Sequence, residues 1–217
     1  MFAFPFSACE MAGKGGGSQP YSAAFNALTC SVLLGLAIVA KTAAVRAALV
    51  AYALFEAWHA YSHARHVAGT AQANVVHVLA YAMAFSTLHA ILALSGGGLS
   101  VTLLTAVVAA VLLDLFVWAR VGGFWTVFSG LLVFSVVVFG NYDKLPPFFR
   151  AVVPYLIAGL LLLFGLVVNE THNCDAMMRY GAWPYHLAVE AVGFALFATI
   201  ALLFLKWERR RSYNLHF

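Results

Sequence analysis

Glu56, His59, His63 and His66 stand three or four residues apart in one apolar stretch, so a helix through them carries all four on a single polar stripe. His186 and Glu190, four apart at the start of the last apolar stretch, bring an imidazole and a carboxylate to one point in the same way, and His77 opens the third stretch. Ionisable side chains inside apolar segments are costly, so their gathering at one level of a helical bundle points to a site. Neutral imidazoles with a carboxylate suit zinc in four-coordinate geometry, with one position left open where the site is catalytic. The expected ligands are His59, His186 and Glu190; Glu56 or His63 would move the proton, His63 or His77 would otherwise stand as a fourth ligand or behind the ligands, and His66 would support the ligands or replace one of them. The same residue types also have a plainer use, since histidines at a membrane interface bond to headgroups and water, and His63, Arg65 and His66 suit the end of a helix. His89, toward the other end of its stretch, reads as a packing residue, and Asp114 has no complementary charge at its depth.

What must position these residues is a set of membrane-crossing helices. Of 217 residues, 64% are hydrophobic and only 9% charged, against about 25% charged in an ordinary soluble domain. A helix needs about 20 apolar residues to cross the hydrocarbon, and seven stretches qualify: 22–40, 45–64, 74–95, 99–119, 122–140, 147–168 and 184–206. They are continuous runs of Leu, Val, Ala and Phe rather than the alternating strands of a barrel, so the fold class expected is all-α, a polytopic membrane protein with a seven-transmembrane-helix bundle over 21–207. Residues 1–20 read as an extramembrane lid rich in Gly, and 208–217 as a basic C-terminal tail. The prolines of Asn141-Tyr142-Asp143-Lys144-Leu145-Pro146-Pro147 make that loop a firm break.

Seven spans put Lys14, Arg65, Arg120 and Arg179 on the N-terminal face and the other eight of the 12 basic residues on the opposite one, so the N-terminus is expected outside and the C-terminus on the cytosolic or matrix side. Protease added to the outer side of sealed membranes should therefore leave Arg209 to Arg211 untouched, and trimming of that stretch from outside would overturn the orientation. The net charge of +4 gives no sign of a nucleic-acid partner; the partners expected are membrane lipids. Cys9 and Cys174 share the outer face under this topology, which permits a bridge between them, whereas Cys30 lies inside the first helix. The triplet Asn169-Glu170-Thr171 falls in an outer loop and has the form of a glycosylation sequon.

The pieces Cys9-Glu10, Pro20-Tyr21-Ser22-Ala23-Ala24-Phe25-Asn26, Trp58-His59-Ala60 followed by Gln72, Asn173-Cys174-Asp175 and Tyr185-His186 resemble the alkaline ceramidases and their relatives in a seven-helix membrane hydrolase superfamily. The resemblance implies a zinc hydrolase acting on a lipid amide or ester, with one ligand from His59 and the others from the position of an H-x-x-x-H pair, here His186 and Glu190. It also implies that Cys9 and Cys174 are bridged. The chain departs from the pattern where the family has a serine four residues before the helix-two histidine, here Phe55, and an aspartate near Val75. Ser7 and Ala24 replace acidic residues that bind calcium in the family, with Glu10 and Asn26 retained, so calcium is not expected.

Two functions of different class follow. One is an intramembrane zinc-dependent hydrolase of a ceramide-like lipid; the other is a non-enzymatic subunit or scaffold of a membrane complex that has kept the bundle and lost the chemistry. Haem held between His59 and His186 is a third arrangement the residue types allow. Retinal is disfavoured, since the last stretch has no lysine before Lys206.

Overall fold

The computed structural model describes residues 19–65, 70–96, 140–173, 176 and 183–214. Every regular element among them is helical: α1 (Gln19–Val39), α2 (Ala43–Arg65), α3 (Thr70–Ser95), a 3-10 turn (Tyr142–Lys144), the single-turn α4 (Pro147–Arg150), α5 (Val153–His172) and α6 (Trp183–Asn214). Proline sits in the first two residues of α1, α4, α5 and α6, where its missing N–H has no helical partner to lose. At the other end of α3, Gly96 takes φ 68°, the left-handed conformation that closes a helix and that a side chain would resist.

Five of the seven expected stretches are thus helical. Pro20–Val39, Val78–Ser95, Pro147–Val167 and Tyr185–Arg211 are long and apolar enough to cross a membrane, which makes the chain an integral membrane protein by length and composition. α2 is as long, but Arg46, Glu56, His59 and His63 lower its apolarity. The stretches 99–119 and 122–139 lie outside the described residues, as do residues 1–18 with Cys9, and Cys174. The basic residues Arg209, Arg210 and Arg211 continue the α6 helix, which runs unbroken to Asn214.

α2 packs chiefly against α1 and α3, and α6 against α1 and α5. Small residues let α2 come close to its neighbours, with Ala44, Ala48, Ala51 and Ala53 buried beside Val45, Leu49 and Tyr52. Tyr52 ties three helices together: its hydroxyl shares a 2.6 Å hydrogen bond with Thr87 of α3, and its ring stacks on Phe197 of α6 at 5.2 Å. A Cβ on Gly159 of α5 would lie 2.6 Å from Leu196 Cδ2 of α6, whereas one on Gly165 would meet nothing within 4 Å, so only the first of these glycines serves close approach. Outward, Leu28, Ile38, Val78, Tyr155, Leu161 and Leu202 are exposed large apolar side chains on α1, α3, α5 and α6, the surface that acyl chains would cover.

Two polar clamps fix how the helices run. At one end Asn26 of α1 reaches Glu190 of α6; at the other, Glu208 of α6 accepts hydrogen bonds from the Thr42 amide (2.7 Å), the Thr42 hydroxyl (2.5 Å) and the Lys41 amide (3.2 Å). α1 and α6 are therefore parallel to each other and antiparallel to α2. Eighteen residues of α6 separate Glu190 from Glu208, about 27 Å at 1.5 Å per residue, close to the roughly 30 Å of a bilayer's hydrocarbon. The clamps thus mark two levels one membrane thickness apart.

Candidate metal centre

Four helices bring polar side chains to the first of those levels and to the two turns next to it. α1 carries Ser22, Asn26 and Thr29 at helical spacing, all buried. α2 carries Glu56, His59, Ser62 and His63, again buried and on one face. α5 contributes Glu170 from its last turn, and α6 contributes His186 and Glu190 from its first two turns.

His63, His186 and Glu190 come together. One ligand atom from each lies within 4.8 Å of the other two. His63 Nε2 is 3.0 Å and His186 Nε2 3.4 Å from the same carboxylate oxygen, Glu190 Oε1. Donors bound tetrahedrally at 2.0–2.1 Å stand about 3.4 Å apart, so the two spacings to Glu190 are near that length and the third lies within 4.8 Å.

Their orientations are held from outside. His186 Nδ1 donates to the Glu170 carboxylate, 3.0 Å from Oε1 and 3.1 Å from Oε2. Asn26 Nδ2 donates to Glu190 Oε1 at 2.6 Å and to the Ser22 carbonyl at 2.9 Å. With its proton on Nδ1, a neutral His186 turns the Nε2 lone pair toward Glu190 Oε1, and two acceptors 3.4 Å apart repel unless a proton or a cation stands between them. Glu190 Oε2 is buried with no hydrogen-bond partner among the described residues. A cation would satisfy both.

Among the expected ligands, His186 and Glu190 are therefore in the group and His59 is not. The His59 Nδ1–H is directed to the Phe55 carbonyl one turn back (3.0 Å), and its ring centroid is 4.4 Å from that of Phe55 and 6.4 Å from that of His63. His63, expected to carry the proton or to stand as a fourth ligand, joins the group in place of His59, because α6 meets α2 one turn further along; the rings of His63 and His186 lie 5.2 Å apart. Glu56, the other proton carrier expected, accepts the Thr29 hydroxyl at 2.7 Å. It stands two helical turns, about 10 Å along the axis, from His63. His66 and the side chain of His77 lie outside the described residues, and His89 is exposed on α3.

In the sequence nothing marks Glu170 or Asn26 as part of this centre. Glu170 stood there only as the middle of a sequon, yet it is a buried acid at the end of an apolar run, the criterion that singled out Glu56. The triplet itself is on the last turn of α5 rather than in a loop, with Asn169 Nδ2 donating to the Tyr185 hydroxyl at 3.0 Å. Compared with known proteins, the chain matches no family model, no curated protein and no solved structure.

Proposed function

We propose that the protein is a membrane-embedded, metal-dependent hydrolase, with His63, His186 and Glu190 as ligands, zinc as the metal and a ceramide-like amide or ester lipid as substrate. The observation that carries this reading is the convergence of two imidazoles and a carboxylate from α2 and α6, one ligand atom of each within 4.8 Å of the others and both histidines buried. Two histidines and a glutamate are a ligand set that catalytic zinc uses in hydrolases, with a fourth position left for water or substrate. When bound, the metal would supply Lewis acidity to a substrate carbonyl and lower the pKa of a bound water. Glu170 and Asn26 hold the ligands' orientation. The level of the site, at one face of the hydrocarbon, suits a lipid whose scissile bond lies just below its headgroup.

A bundle of seven spans with the N-terminus outside belongs to this proposal. It is supported by the two ends of the stretch 97–139: Arg211 reaches the carbonyl of Ala93, and Lys206 and Arg210 lie 4.8 Å and 4.7 Å from the ring of Phe148, so the residues flanking that stretch meet the same end of α6. Two further crossings would return the chain to the face it left.

A specific observation favours the scaffold reading as well. The polar groups already bond to one another, Asn26 to Glu190 and His186 to Glu170, and Phe55 packs its ring on His59 where the ceramidases that the sequence resembles have a serine. Purified full-length chain separates the two. A hydrolase contains about one zinc per chain and releases fatty acid from N-acylsphingosine in mixed micelles, with the activity lost to a chelator and restored by zinc. Protein free of metal and inactive after zinc addition would leave the scaffold.

A further inference from the structure

Among the described residues Glu56, Glu170 and Glu208 are buried and Glu190 is half-buried, and three of these acids have evident uses: Glu190 in the ligand group, Glu56 with Thr29, and Glu208 at the start of α2. The fourth, Glu170, is 2% exposed on the last turn of α5. That position is unfavourable twice over. A carboxylate loses its hydration there, and the negative end of a helix repels it. Nothing about α5 itself calls for an acid at this point. Its carboxylate instead spans the Nδ1 edge of His186, 3.0 Å from one oxygen and 3.1 Å from the other, with the histidine itself 5% exposed.

We propose that Glu170 is a positioning residue that sets the tautomer and ring orientation of His186. A neutral imidazole carries one proton, and the carboxylate can only accept it, so the proton is held on Nδ1 and the Nε2 lone pair faces Glu190 and His63. Without Glu170 the ring is free to place its proton on Nε2, where Glu190 Oε1 would accept it at 3.4 Å. That tautomer blocks the ligand atom. The consequence for metal affinity rests on the metal reading above; the tautomer does not.

The test uses full-length protein labelled with 15N-histidine in lipid, at about pH 8.5 so that ordinary imidazoles are neutral. His186 is assigned by the signal lost in His186→Asn. In the metal-free wild type its spectrum should show protonated Nδ1 and bare Nε2. Glu170→Ala should shift it toward the Nε2–H form and weaken zinc binding by about 10–100-fold. Glu170→Gln keeps a carbonyl oxygen for Nδ1–H, so it should retain the tautomer and recover part of the affinity, which loss of packing alone would not produce. If Glu170→Ala is folded by its helical signal and His186 stays wholly Nδ1–H, the proposal is wrong; should Glu170→Ala fail to fold, a Glu170→Gln protein with an Nε2–H His186 overturns it equally. Absence of zinc from the wild type would remove the metal reading, while the tautomer would still decide the role of Glu170.

Discussion

Replacing His63 by alanine is expected to empty the protein of zinc, and replacing His59 is expected not to. The two residues are one helical turn apart on the same face of α2, so only contact with α6 distinguishes them. His63 Nε2 lies 3.0 Å from Glu190 Oε1, whereas the Nδ1–H of His59 is used by the Phe55 carbonyl. His186→Ala and Glu190→Ala should behave like His63→Ala, since each removes one of three donors. Removing a group behind a ligand already costs about 10–100-fold in affinity or activity; losing a ligand should cost more and abolish any hydrolysis of ceramide-like lipids. His89→Ala, an exposed change on α3, is the control and should keep metal content and rate. Zinc-to-protein ratios measured on the purified variants decide the matter: retention by His63→Ala together with loss from His59→Ala would return the ligand role to His59.

Glu208→Ala should destabilise the bundle without touching the metal. Glu208 is buried at the far end of α6 and accepts the Thr42 amide, the Thr42 hydroxyl and the Lys41 amide. These donors sit at the start of α2, where the amides have no partners within the helix and the dipole favours a negative charge. The side chain therefore caps α2 from another helix and fixes the axial register of α6 against it. Truncation leaves those donors unpaired in a partly buried setting, a loss of roughly 2–4 kcal/mol. In a chain of this size that corresponds to a melting temperature lower by about 5–15 °C. Thermal unfolding in detergent, followed by helical signal, would show it, and zinc content below the transition should be unchanged. A shift under about 2 °C would mean that water replaces the carboxylate at little cost.

Much of the helical architecture was legible along the chain. The apolar stretches at 22–40, 45–64, 74–95, 147–168 and 184–206 coincide closely with helices, because in lipid every backbone polar group must be satisfied within its own segment. Local spacing also sufficed for His186 and Glu190, which are four apart on one helix and remain partners in the folded chain. Spacing could not choose between His59 and His63, since the period of a helix repeats each turn and carries no information on where a neighbouring helix crosses.

The sequence alone determined an all-helical membrane chain with a stripe of histidines and acids, through composition, run length and helical period. Tertiary structure alone decided which members of that stripe meet. The axial register of α6 against α2, held at this end of the bundle by the polar cluster itself, brings His63 to Glu190 and leaves His59 a turn away. It also brought in Glu170 and Asn26, whose partners lie 16 and 164 residues distant in the chain. Contacts of that kind depend on side chains from separate helices reaching the same level, and helical periodicity specifies only the face on which each one stands.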